Sequence, residues 1–136
     1  MPLPEATAPP RASVLIVDDD ETMRKLLELA LTRYGFRVHQ AGDGQEALDL
    51  FTRFRADIDV VVLDVRMPGV GGPAILADLR RINPAVRAVF VTGYTGELSE
   101  EDLVAQGASR VFYKPFPLIE FADYLRRLVT STKGDA

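Results

Sequence analysis

A chain of 136 residues, 47% hydrophobic and 26% charged, has the size and apolar content of one domain with a single core. Its net charge of −4 argues against a general affinity for nucleic acid or an anionic membrane surface, and no apolar run approaches the roughly 18 residues of a membrane span. With no cysteine, disulfides, thiolate metal sites and cysteine nucleophiles are excluded. The N-terminus lacks the charged and apolar regions of a signal peptide, so a cytoplasmic location is expected.

Residues 1–12 are rich in Pro and Ala and read as a flexible tail. The folded part is expected over 13–129, with a polar, disordered tail over 130–136. Val14-Leu15-Ile16-Val17 is a first buried strand. In the helix that follows, Met23, Leu26, Leu27, Ala30, Leu31 and Tyr34 recur at helical spacing and define one apolar face. Asp20 suits its N-cap and Gly35 its end. Phe36 to Gln40 reads as a second strand, and Gly42-Asp43-Gly44 as a turn. Ala47, Leu48, Phe51 and Phe54 mark a second helix.

The third strand, Val60-Val61-Val62-Leu63-Asp64, runs straight into an acidic residue, and the chain then breaks at Pro68-Gly69. A continuous β-branched run bounded by turn residues is a strand buried on both faces. A third helix starts at Gly71-Gly72-Pro73, with Pro in its first position, and stops at Asn83-Pro84. Ala88-Val89-Phe90-Val91 is the fourth strand, ending in Thr92-Gly93. Ser99-Glu100-Glu101-Asp102 has the form of a capping box opening a short fourth helix, which Gly107 closes. Val111-Phe112-Tyr113 is the fifth strand, ending at Lys114-Pro115. Leu118, Phe121, Ala122, Leu125, Leu128 and Val129 form the apolar face of a fifth helix.

Five strand–helix alternations predict an α/β fold, a doubly wound five-stranded parallel sheet with five helices. The flavodoxin-like strand order 2-1-3-4-5 places the first and third strands side by side at the topological switch point. In that order Asp18 and Asp19, Asp64, Thr92 and Lys114 all lie at strand ends facing one crevice. Asp64 cannot sit inside its strand without a partner, so it belongs at the open C-terminal edge. Three carboxylates packed together raise one another's pKa and call for a cation. Hard oxygen ligands in small number suit Mg²⁺, Lys114 adds a fixed positive charge, and Thr92 a hydroxyl donor. Such a site fits phosphoryl transfer to a carboxylate, with Asp64 as the acceptor.

Ile16-Val17-Asp18-Asp19-Asp20, Leu63-Asp64-Val65-Arg66-Met67-Pro68-Gly69, Val91-Thr92-Gly93 and Tyr113-Lys114-Pro115-Phe116 together resemble the receiver domain of two-component response regulators, over roughly residues 13 to 129. The resemblance implies that Asp64 is the phosphorylated aspartate. It implies that Asp18 and Asp19 hold Mg²⁺ with it, the backbone carbonyl of Arg66 being a further ligand. Thr92 and Lys114 would bind the phosphoryl oxygens, and Lys114-Pro115 would be a cis peptide. The phosphodonor would be a phosphohistidine on a histidine kinase or a histidine phosphotransfer protein. Output would come from a downstream protein docking on the face of the fourth helix, fifth strand and fifth helix, the chain being a monomer or a phosphorylation-dependent dimer. The sequence departs from the family at Val111, where an aromatic residue normally couples to the threonine. Phe112 and Tyr113 are expected to point elsewhere, because strand neighbours alternate faces. A second departure is Gly93, where alanine is usual. Arg66 and Tyr94 flank the site at variable positions and are expected to set the lifetime of the phosphoryl group by limiting the approach of water.

Each of these residues also has a plainer reading. An acidic triplet such as Asp18-Asp19-Asp20 commonly starts a helix, and Asp20 and Glu21 do no more than that. Asp64 could be a turn residue before Pro-Gly, Thr92 a strand-end threonine, Lys114 a solvated lysine. All of them converging at one sheet edge favours the site. His39 reads as a surface histidine without a partner, and Arg80-Arg81 and Arg126-Arg127 as the solvent sides of helices. Two other functions compete with a phosphorylation-switched signalling module. One is a constitutive interaction scaffold of the same fold, against which the complete acceptor–metal–lysine set argues. The other is a Mg²⁺-dependent phosphatase working through an aspartyl phosphate. Such an enzyme needs a second carboxylate where Arg66 stands, and a substrate cap. The expected protein is therefore an acceptor that at most hydrolyses its own phosphate slowly, not a turnover enzyme. A free-standing regulator and a receiver of a larger protein, such as a hybrid kinase, both fit; the Thr-Gly-Tyr step after the fourth strand looks like the latter.

Overall fold

The computed structural model describes residues 12–93 and 99–130. Five strands and five helices alternate: β1 (Ser13–Val17), α1 (Glu21–Arg33), β2 (Arg37–Ala41), α2 (Gly44–Phe54), β3 (Ile58–Asp64), α3 (Gly72–Ile82), β4 (Arg87–Thr92), α4 (Glu100–Ala105), β5 (Arg110–Tyr113) and α5 (Leu118–Thr130). All strands are parallel, in the order β2-β1-β3-β4-β5, as the alternation predicts. Of the two expected tails, residues 1–11 and 131–136 lie outside the described residues. Ala12 accepts a hydrogen bond from Arg37 N, and Thr130 is the last residue of α5.

The sheet separates two cores, because alternate strand residues face opposite sides. On one side Leu15, Val17, Val61, Leu63, Ala88, Phe90 and Val111 pack under α2, α3 and α4 through Phe51, Ile75, Leu76, Leu79 and Leu103. On the other, Val14, Ile16, Val60, Val62, Val89, Val91 and Phe112 pack under α1 and α5 through Leu27, Leu31, Phe121 and Leu125. On α1 only Leu27 and Leu31 are fully buried. Leu26, read as part of the inward face, is 45% exposed. The contact strip of α1 is narrower than its apolar periodicity.

The caps follow the sequence. The Asp20 side chain accepts from Thr22 N and Met23 N, Asp43 caps α2, and Ser99 with Asp102 closes a full capping box on α4. β3 begins two residues before the apolar run, at Ile58, and its pairing with β1 shifts register between Ser13 and Val14. The Asp59 carboxylate accepts from Ser13 N at 2.8 Å, replacing a ladder bond at the irregularity.

Two surface readings are corrected. Arg80 is not on the solvent side of α3: its guanidinium donates to Gly107 O at 2.7 Å and Val86 O at 3.2 Å. Gly107 has φ +107°, and a Cβ there would lie 1.9 Å from the guanidinium, so the glycine serves both the turn and the clamp. Arg81 is exposed. His39 is half-buried and does have a neighbour: its ring stacks on Phe54 at 4.7 Å and 23°, because the aromatic end of α2 folds over the edge strand.

The start of α3 presses directly on the end of β3. A Cβ on Gly72 would come within 2.6 Å of Asp64 O and 3.2 Å of Val65 Cα, both rigid backbone. Gly72→Ala is expected to lower unfolding stability by about 1–3 kcal/mol through overpacking, read as a reduced urea midpoint with an unchanged m-value.

Candidate functional site

At the C-terminal edge of the sheet the chain turns out of β1 at Asp18, out of β3 at Asp64, out of β4 at Thr92 and out of β5 at Lys114. Adjacent β1 and β3 bring the carboxylates together. Asp18, Asp64 and Thr92 are buried, at 2%, 6% and 1% exposure, while Asp19 is exposed. One carboxylate oxygen from each of Asp18, Asp19 and Asp64 lies within 4.8 Å of the others. Lys114 Nζ reaches in from β5, 3.1 Å from Asp18 Oδ2 and 3.7 Å from Asp64 Oδ2. The other Asp18 oxygen accepts from Asp20 N at 2.9 Å, so the turn itself orients this carboxylate. Lys114 N donates to Thr92 O at 2.8 Å, and the Lys114–Pro115 peptide is cis.

The charge balance is uneven: three carboxylates face one ammonium. At Asp64 the pKa is raised from 3.8 to about 6. Burial is the largest cause, ahead of repulsion from Asp18, so desolvation outweighs the mutual repulsion foreseen from the sequence. Lys114 and a hydrogen bond from the Arg66 backbone pull in the opposite direction without cancelling it. Three convergent hard oxygen donors, two of them buried and incompletely neutralised, fit a small divalent cation such as Mg²⁺.

The sequence profile of the response regulator receiver domain matches residues 14–126. The chain belongs to this family. It is 34% identical over 118 residues to the sensor kinase CckA of Brucella abortus, an alignment covering 87% of this chain and 12% of that protein. It is 36% identical over 118 residues to the sporulation initiation phosphotransferase F of Bacillus subtilis, covering 84% of this chain and 90% of that one. Among solved structures, a receiver domain protein from Clostridium thermocellum superposes with a TM-score of 0.81 at 26% identity, covering 87% of this chain and 94% of that chain. A chain of the CheX–CheY–BeF3–Mg²⁺ complex from Borrelia burgdorferi gives 0.80 at 26% identity, covering 88% and 90%. Receiver domains are signalling switches of two-component systems rather than turnover enzymes. They bind Mg²⁺ at an acidic pocket and interact with histidine kinases or phosphotransfer proteins. No helix among the described residues is long and apolar enough to cross a membrane.

Around the receiver site, Arg66 is exposed just beyond Asp64, and Tyr94 lies outside the described residues. Val111, at the family's aromatic position, is buried in the core under α4. Alternation turns Phe112 to the opposite core, where it packs edge-on to Phe121 and Tyr124. It also brings Tyr113 back to the face of Val111, which corrects the expectation that both aromatics point away. Tyr113 pairs in register with Thr92, and its hydroxyl donates to Glu100 Oε1 on α4 at 3.3 Å. A two-residue offset on a strand was the signal that could have found it. A second group not foreseen is Arg24, whose guanidinium donates to Asp18 O.

The raised pKa of Asp64 carries a sign. Because the folded value lies above the unfolded one, its contribution to stability is present below about pH 4 and is lost as pH rises through 6. At neutral pH the ionised, metal-free carboxylate is therefore a burden. Asp64→Asn is expected to stabilise the metal-free protein at pH 7.5 by on the order of 1–3 kcal/mol. The gain should shrink towards zero near pH 4, as measured by urea unfolding across that range.

Proposed function

We propose that this receiver domain accepts a phosphoryl group on Asp64 from a phosphohistidine of a histidine kinase or histidine phosphotransfer protein. The observation that carries the reading is the meeting of the Asp18, Asp19 and Asp64 carboxylates with Lys114 Nζ at one sheet edge. Asp18, Asp19, Asp64 and the backbone carbonyl of Arg66 would hold Mg²⁺, as the family resemblance implies. Bound there, the ion would offset the carboxylates' repulsion and the charge of the incoming phosphoryl oxygens. The Mg²⁺ and BeF3 named with the Borrelia CheY structure support this assignment.

In the transfer, an Asp64 carboxylate oxygen bonds to phosphorus while the phosphorus–nitrogen bond of the donor breaks. The imidazole leaves with the bonding pair and takes up a proton. Lys114 pairs with phosphoryl oxygens in place of part of its contact with Asp64, and the Thr92 hydroxyl donates to another oxygen. Asp64 must be ionised to attack, which a site at cytoplasmic pH supplies, its pKa being about 6. The folded unit runs from residue 13 to the end of α5 at Thr130; it is cytoplasmic, and its only hydrolysis is slow loss of its own phosphate.

The phosphoryl group would shift a population between two arrangements of the α4–β5–α5 face, where a downstream protein docks. That face carries the Tyr113–Glu100 hydrogen bond, the Arg110–Glu120 ion pair at 3.0 Å, and the exposed apolar side chains Val104 and Ile119. Its connection to Thr92 lies beside Tyr113 rather than through an aromatic residue at Val111.

Intact mass after incubation with Mg²⁺ and a small acyl phosphate tests the acceptor. Wild type is expected to gain one phosphoryl group, Asp64→Asn none, and chelation of Mg²⁺ should abolish the gain. A wild type that stays unlabelled would point instead to a constitutive scaffold, and equal labelling of both proteins to a different acceptor. Arg66 and Tyr94 are proposed to limit the approach of water, so Arg66→Ala and Tyr94→Ala should each shorten the phosphoryl half-life. Unchanged decay in both would remove that role.

A further inference from the structure

We propose that Arg24 is a positioning residue of the phosphoryl-transfer site, anchored by Gln40 and Glu28, that holds the Asp18–Asp19 turn in its metal-binding form. The inference rests on the function proposed above and goes beyond it, since Arg24 neither faces the phosphoryl group nor supplies a ligand. Its Nη1 donates to the backbone carbonyl of Asp18 at 2.7 Å. That carbonyl belongs to the residue where β1 ends and the acidic turn begins.

The guanidinium is itself held. Its Nε donates to Gln40 Oε1 at 3.3 Å, and the Gln40 amide donates in turn to Glu28 Oε1 at 2.6 Å. Gln40 sits on β2 opposite Ile16 of β1, so the relay connects α1, the edge strand and the strand that carries the site. The turn after β2 gives the guanidinium room: a Cβ on Gly42 would lie 3.2 Å from Arg24 Nη1. Asp18 N also donates to Ala41 O, at 3.1 Å. The backbone of Asp18 is thereby fixed at its N–H by the β2 strand end and at its carbonyl by Arg24. Its two carboxylate oxygens are fixed by Asp20 N and Lys114.

The consequence is preorganisation. Three carboxylates that repel one another favour a turn that opens and lets Asp19, the exposed member, swing away. Both direct partners of Arg24 are neutral acceptors, a carbonyl and an amide. Its positive charge therefore stands behind the acidic turn without covering the ligand oxygens. Partners that orient metal ligands in this way typically alter metal affinity about 10–100-fold when removed.

The test is a Mg²⁺ titration followed by backbone amide shifts of Asp18, Asp19 and Asp64, with acyl-phosphate labelling rates measured over the same Mg²⁺ range. Arg24→Met is expected to weaken Mg²⁺ binding about tenfold while the labelling rate at saturating Mg²⁺ stays near that of wild type. Gln40→Leu should give a smaller weakening in the same direction, and Arg24→Lys should recover part of the loss. Urea unfolding of each variant separates this from a general loss of stability. Wild-type Mg²⁺ affinity in Arg24→Met overturns the proposal, even where stability falls, and so does an unchanged affinity in Gln40→Leu. If Arg24→Met does not fold, Gln40→Leu decides by the same criterion. Absence of Mg²⁺ binding by the wild type would instead overturn the function on which the inference rests.

Discussion

The structure turns on a charge imbalance kept in a nearly dry place: the Asp18 and Asp64 carboxylates lie buried at adjacent strand ends, with Asp19 beside them and one lysine ammonium reaching across. A buried carboxylate is tolerated only with partners, and the surrounding chain supplies them in part. Asp18 has both oxygens engaged. Asp64 has the longer contact with Lys114 and a pKa raised to about 6. Of the two buried carboxylates Asp64 is thus the less compensated, and further positive charge can be accommodated there.

The fold converts this local tension into a placed site. Parallel strands all end at the same edge, so β1, β3, β4 and β5 deliver their last residues to one crevice. β1 and β3 are neighbours because the chain reverses its winding between them. The close approach of α3 at Gly72 and the bonds of Arg24 to the acidic turn keep two of those strand ends from spreading. None of these supports carries chemistry, yet each limits where a ligand oxygen can go.

Away from the site, α4 is tied at both ends. Tyr113 bonds Glu100 in its first turn, and the Arg80 clamp holds Gly107 just beyond its last. α4 is short, with Leu103 as its only buried residue, so packing alone anchors it weakly. Contacts at its ends rather than its core hold it over the sheet, so it is among the more locally anchored elements of the domain.

The sequence by itself determined the alternation and the sheet order, and it marked the residues that meet at one sheet edge. β-branched runs, caps and turn residues are local signals, and Asp18, Asp19, Asp64, Thr92 and Lys114 are each marked by standing at the end of an apolar run. It did not determine which charged side chains turn back onto the protein. Arg80 and Arg24 look alike in sequence to the exposed Arg81 and Arg126, and their carbonyl partners are brought to them only by packing of α3 against the β5 turn and of α1 against β1. The exposure of Leu26 and the stacking of His39 escape the sequence for the same reason: periodicity gives the direction of a face, not its width or the aromatic ring that comes to cover an edge. Tyr113 was within reach of strand alternation, but its partner on α4 was not. Local physics sets where the elements begin and end and which residues stand at their tips. Long-range packing alone decides the distances between those tips, and so how far burial exceeds neutralisation at Asp64.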